Sequence, residues 1–300
     1  MEKIVSLFLA ILTLGFAQQV FAQDENASAD ESERWSDFLP LNKEMAGDAD
    51  LQLPFGIGVT GFWQEQDLKS KNISLIIPAF VVPTIWEGTT ATPTNVESEV
   101  DNFNVRLDAW ILPFLNVYGV AGKVDGENRV SDINVDNNWA GHPGGALVTG
   151  TLDALALEFK NNGFKLDYEG DVYGVGVILA SQWGKYWGTI DYNFTQADLD
   201  ISTSEIDTHT ITPRIGRTGS LGNTKGAFWI GAMHQAVDED HNGQINQGGL
   251  DIQYTVLNEQ EDEWNFLLGG SAELSKQWNA SIEGGFGDRK QVMGNLTFRF

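Results

Sequence analysis

The C-terminal stretch Gln291-Val-Met-Gly-Asn-Leu-Thr-Phe-Arg-Phe300 decides the fold. Its even positions are Val292, Gly294, Leu296, Phe298 and Phe300; its odd positions are Gln291, Met293, Asn295, Thr297 and Arg299. Alternation with period two marks a strand with two different faces. The pattern runs backwards through the chain. Residues 279–288 set Ala280, Ile282, Gly284 and Phe286 against Asn279, Ser281 and Glu283. Residues 264–274, 186–198, 165–179 and 98–110 alternate in the same way, and 55–66, 115–124, 207–216 and 227–238 do so less cleanly.

These segments are about ten residues long, whereas strands of soluble proteins cluster near five or six. A strand that crosses a bilayer needs about 9–11 residues. The connections alternate between short turns, at 111–114, 182–185, 219–226 and 275–277, and longer polar segments, at 69–96, 127–163, 199–206 and 239–263. Trp110, Phe114, Trp183, Trp187, Phe228, Trp229, Trp278, Phe298 and Phe300 gather near the short turns or the C-terminus, as an interfacial girdle would. Trp63 and Trp264 mark the opposite rim. The expected fold is all-β, a single antiparallel transmembrane barrel over residues 51–300. Both termini share one side, so the strand number is even: ten, or twelve if residues 74–82 and 147–159 also cross. Residues 250–257 read as structure inside an external loop.

Residues 1–22 read as a cleaved secretory signal, with Lys3, an apolar run over 4–16 and the small-residue site Val20-Phe21-Ala22. Residues 23–50 carry nine acidic groups against Arg34 and Lys43 and read as an acidic periplasmic extension. The whole chain of 300 residues has a net charge of −24 and no cysteine. That excludes a disulfide framework and a thiolate metal site. It also argues against nucleic acid as a partner, because phosphate binding needs a basic stripe. A mean hydropathy of −0.20 suits a closed sheet with a polar interior.

With its exported N-terminus, lack of cysteine and last strand ending in Phe298 and Phe300, the chain resembles the Gram-negative outer-membrane β-barrel class, a likeness that extends over about residues 51–300. The resemblance implies a place in the cell outer membrane, with its lipid, the barrel-assembly machinery and periplasmic chaperones as partners. Phe298 and Phe300 would be the assembly signal.

Three constellations are candidates for function. Arg106, Lys165, Arg214 and Arg299 share the expected polar lumen with Asp108, Asp167, Glu169, Asp171, Asp191, Glu273 and Glu283. Such charges either knit a salt-bridged plug or line a narrow, porin-like pore for small ions or solutes, whose carboxylates favour cations. Asp238, Asp240 and Asn242, with Gly243 and Ile245, match the first half of a calcium loop that lacks its closing acid at Gly249. Asp132-Ile-Asn134-Val-Asp136 is a poorer version. Beyond this weak calcium site no cofactor is expected. His142, His209, His234 and His241 form no hydrolytic motif with Ser or Asp, so the expectation is non-enzymatic. A closed barrel that binds a ligand or partner through its loops is the alternative to the pore, and an outer-membrane hydrolase or acyltransferase is a further one. Residues 69–96 are apolar enough to fold into the mouth as a plug or to grip a hydrophobic ligand or partner.

Overall fold

The computed structural model describes residues 38–47, 51–76, 87–137, 157, 161, 163–201, 205–222, 224–238, 241–247, 250–259, 264–287 and 289–300. The signal segment, most of the acidic extension and residues 77–86 lie outside them. So do residues 147–159 except Leu157.

Among the described residues, alternating segments form twelve strands: β1 (Phe55–Ile76), β2 (Glu87–Leu112), β3 (Leu115–Asn137), β4 (Phe164–Trp183), β5 (Tyr186–Leu199), β6 (Ile206–Leu221), β7 (Thr224–Asp238), β8 (His241–Gln247), β9 (Leu250–Glu259), β10 (Trp264–Glu273), β11 (Trp278–Phe286) and β12 (Arg289–Arg299). Each ring strand pairs antiparallel with its sequence neighbour, β7 passes directly to β10, and β12 returns to β1. The hairpin β8–β9 stands outside the ring and adds to the far end of β1, Lys69↔Glu259 to Ile76↔Gln253. The chain is therefore a closed barrel of ten antiparallel strands. The ten expected segments are its ten strands, and β9 is the structure expected within a loop. Residues 74–76 are the end of β1 and not a separate crossing.

The ring closes between the first strand and the last. Phe55 and Phe300 exchange backbone hydrogen bonds, their rings stack at 6.0 Å, and Phe298 lies between Phe300 and Trp278. Register separates the two faces. Outward lie Ile57, Leu107, Val175, Ile190, Ile215, Ile230, Phe266, Leu268 and Ile282, all more than 40% exposed. In hydrocarbon every backbone amide must be paired, and strands achieve this by closing the sheet, which lets the outer face be apolar. The apolar band ends at Asp101, Lys123, Asp171, Asp198, Asp207 and Lys290. Trp63 and Trp264 stand at that border, with Trp63 Nε1 donating to Glu99 at 2.8 Å and Trp264 edge-on to His234.

The strands are unequal. β10, β11 and β12 have 10, 9 and 11 residues, about one bilayer crossing, whereas β1 to β4 have 20 to 26. The first four strands therefore rise past the band at the loop end, and β8–β9 widens this wall. Of the apolar stretch 69–96, residues 69–76 and 87–96 are strand, with Ile73 to Ile76 paired to Ala91 to Glu87, and residues 77–86, the core of the expected plug, lie outside the described residues. At the turn end, Leu41 donates its N–H to Ile111 and Pro40 is buried, so the chain before β1 lies under the first turn.

Candidate functional site: a charged network across the lumen

The lumen-facing residues alternate with the band: Asp108 on β2, Asn116 and Tyr118 on β3, Asp191 on β5, Arg214 on β6, Trp229 on β7, Glu283 on β11 and Arg299 on β12. All lie in the half of the barrel nearer the short turns. They join into one chain of contacts. Arg214 holds Glu283 with two hydrogen bonds of 2.7 and 2.8 Å, and Trp229 Nε1 donates to the same carboxylate at 2.5 Å. Arg214 also lies 3.8 Å from Asp191, whose Oδ1 accepts from the Tyr118 hydroxyl at 2.7 Å. The Arg106 guanidinium sits 3.7 Å above the Tyr118 ring and donates to Asn116 at 3.1 Å. Asn116 donates to Asp108 at 2.7 Å, and Arg299 reaches the same Oδ1 at 3.0 Å.

The chain runs from β7 and β11 across to β2, β3 and β12. Its bidentate Arg214–Glu283 link bridges over β7 and β10. Planar guanidinium against carboxylate gives direction as well as charge, and such pairs are about twice as strong as neutral ones. Burial is deep: the side chains of Glu283 and Asp108 are 1% and 2% exposed, and Asn116 is fully buried. Two glycines make this possible. A Cβ at Gly176 would collide with the Tyr118 ring and one at Gly269 with the Trp229 indole, so each bare strand position receives an inward aromatic from its neighbour.

Of the charges expected in the lumen, Arg106, Asp108, Asp191, Arg214, Glu283 and Arg299 meet in this network. Glu273 faces the same way but sits exposed at the turn-end rim. Lys165, Asp167, Glu169 and Asp171 do not line the lumen. They share the outward face of β4 with Tyr173, Val175 and Leu179, above the apolar band, where an outward side chain meets water. Lys165 pairs there with Glu127 and Asp167, and hydrogen bonds to those carboxylates raise its pKa above the ordinary lysine value. Asp171 pairs with Lys123 at 2.5 Å. Charge inversion at Glu169 and Asp171 should accordingly leave the urea-unfolding midpoint in detergent unchanged; a large drop would place them in the packed interior.

Residues that the alternation did not single out include Arg289, 3% exposed and bonded to Gln235, together with Tyr118, Asn116 and Trp229. Trp229 belongs to the network and not to the outer girdle. The triplet Phe228-Trp-Ile230 hides its direction, and the available signal was Gly269, placed opposite it by the register. Trp187 also turns inward, 5.8 Å from Trp229.

Of the calcium candidates, only the backbone of Asp238 and Asn242 is described. Asp240 lies outside the described residues, but Asn242 and Gly243 run extended in β8, paired with Thr255 and Tyr254, where a calcium loop must turn sharply. Asp132, Asn134 and Asp136 are likewise extended in β3. His209 and His234 point outward at the border of the band. His209 Nδ1 lies 2.9 Å from the Tyr192 hydroxyl, and Asp207 instead accepts from Gln196.

Solved structures with a similar fold are membrane barrels. The β domain of the Bordetella autotransporter BrkA is 9% identical, with 82% of this chain and 99% of that one covered and a TM-score of 0.40. The translocator domain of the autotransporter NalP from Neisseria meningitidis is 10% identical, covering 82% and 89%, with a TM-score of 0.37. The outer membrane protein OprG from Pseudomonas aeruginosa is 14% identical, covering 83% and 98%, also at 0.37. Likeness this remote says nothing of what the chain binds. No protein-family model matches the sequence, and no curated protein does.

Proposed function

We propose that the protein is a Gram-negative outer-membrane barrel, shut along its axis to ions and hydrophilic solutes, that acts without catalysis on a ligand or partner at its outer face. The short turns are then periplasmic, and the tall wall of β1–β4 with β8–β9 is extracellular. One observation carries the closure. Lumen-facing Glu283, Asn116, Thr212, Asn265 and Gln291 are at most 2% exposed, whereas the lining of an open pore would be wet.

The alternative of a cation-preferring pore loses its electrostatic basis. Among the described residues the buried interior sets Arg106, Arg214, Arg289 and Arg299 against Asp108, Asp191 and Glu283, so the acidity of the chain lies elsewhere. The outward, aromatic surroundings of His209 and His234 support a non-enzymatic reading. Purified protein in planar bilayers should therefore stay silent at low voltage. A sustained ohmic current from the unmodified barrel would refute the closure.

A further inference from the structure

The outward face changes character twice along the tall strands. β2 and β3 keep one register from Ala109↔Val117 to Thr89↔Asn137, so Ala91 and Val135 share a sheet face with Leu107, Glu99 and Glu97. Two successive rows cross the wall from β8 to β3 above the border of the band. One is His241, Val256, Ile73, Ala91 and Val135; the next is Asn242, Thr255, Ser74, Thr90 and Asp136. Antiparallel partners lie on the same face and adjacent rows on opposite ones. The register adds Leu75, Tyr254, Ile252, Ile245 and Ile133 to the outward face, and Asn134, Gln253 and Gln244 to the other. Along its outward face the wall is therefore apolar in the band, charged at the border and apolar again above it.

The upper apolar zone stands past the lipid, and among the described elements no strand lies across it. Apolar patches of this kind on a water-facing surface mark docking sites. Strands about 4.8 Å apart make the zone about 20 Å wide and about 15 Å tall, roughly 300 Å². A stable protein–protein interface takes about 800 Å² from each partner, so the zone is too small to hold a folded domain or a second copy. One α-helix of about 14 residues covers its width at about 1.5 Å per residue, with its backbone bonds satisfied internally.

Charge selects the sign of that helix. Below the zone on the same face stand Glu65 and Asp67 on β1, Glu97, Glu99 and Asp101 on β2, and Asp125 and Glu127 on β3, with Lys69, Lys123 and Arg129 among them. Asp67, Glu97 and Asp125 are exposed. A second copy docked here would press two such acidic borders together, whereas the net charge of −24 on the whole chain draws a cation from a distance.

We propose that the outward apolar face of the β8–β9–β1–β2–β3 wall, with the acidic border beneath it, binds a free cationic amphipathic peptide as a helix. The inference rests on the extracellular placement of the wall and the outer-face ligand proposed above, and it names the chemistry of that ligand. The apolar stripe of the helix lies on the row of Ile73, Val135 and Val256, and its Lys or Arg flank meets the acidic border.

The test uses the full-length protein in phosphatidylcholine nanodiscs, with empty discs as control and fluorescence anisotropy as the readout. The probe is a labelled synthetic peptide of about 14 Leu and Lys residues, with Leu at helical spacing. It should bind discs that hold the protein above the level of empty discs; the same residues in alternating order, or Glu in place of Lys, should not. Ile73→Thr, Val135→Thr and Val256→Thr together keep strand-forming residues and should weaken binding by at least roughly tenfold. Asn134→Thr, on the opposite face, should leave it unchanged. If the triple variant fails to fold, Asp67→Asn with Glu97→Gln should still weaken binding and flatten its salt dependence. No excess over empty discs, equal binding of the alternating peptide, or a folded triple variant that binds as well as the unmodified barrel overturns the peptide site. So does a dimer of the barrel that the triple variant abolishes. Asn137→Cys, in a chain with no other cysteine, reports placement separately through an impermeant maleimide on intact cells. No labelling there overturns the extracellular wall itself, and labelling without peptide binding overturns the peptide site alone.

Discussion

Planar-bilayer recordings of the Arg214→Ala, Glu283→Ala double variant should show discrete channel openings where the unmodified barrel shows none. The pair is the link that bridges over β7 and β10, and its two side chains fill the lumen between β6 and β11. Removing both leaves no unpaired charge from the pair itself, and Asp191 keeps its bond from Tyr118. Water then replaces two long side chains. The single Glu283→Ala change should behave differently. It leaves Arg214 with only Asp191, 3.8 Å away, beside a buried gap, at a cost of up to about 3–5 kcal/mol, so it should lower the unfolding midpoint more than the double variant does. Current through the double variant should favour anions slightly, because Arg106, Arg289 and Arg299 remain against Asp108 and Asp191. A folded double variant that stays silent would show that another layer closes the lumen.

Much of the architecture was legible in the sequence. Ten strands followed from period-two runs of bilayer length, and the parity argument kept residues 250–257 out of the ring, where β9 does lie beside β1. What misled was the assumption that one face of a strand has one environment. On β4 the outward face is charged from Lys165 to Asp171 and apolar from Tyr173 onward, because a strand of 20 residues leaves the membrane halfway. Alternation reports the face but not the height, and only pairing against shorter strands supplies the height. The network was half legible for a similar reason. Its charged members stand out on polar faces, but Trp229 and Tyr118 read as apolar surface until the register sets a glycine opposite each.

The same pairing logic gives Asp108 the second large expected effect. Its carboxylate accepts from Asn116 and from Arg299, with Arg106 at 3.8 Å, while its own side chain is 2% exposed. Arg299 lies on β12 and Asp108 on β2, so the bond passes over β1 and clamps the seam at which the barrel closes. It passes where β1 has Gly56, since a Cβ there would strike the Asp108 carboxylate. Asp108→Ala leaves two largely buried guanidinium groups without their acid, a loss of about 3–5 kcal/mol. The urea midpoint in detergent should fall accordingly, and the folded band on a semi-native gel should melt at lower temperature. Gly56→Ala should reproduce part of that loss without touching a charge, by displacing the carboxylate from Arg299. Combining Asp108→Ala with Arg299→Met should cost less than the two separate changes added together, because the second removes a cation the first has stranded. Strict additivity in that cycle would mean that the clamp carries no coupling and that the closing seam relies on its backbone bonds and the Phe55–Phe300 stack alone.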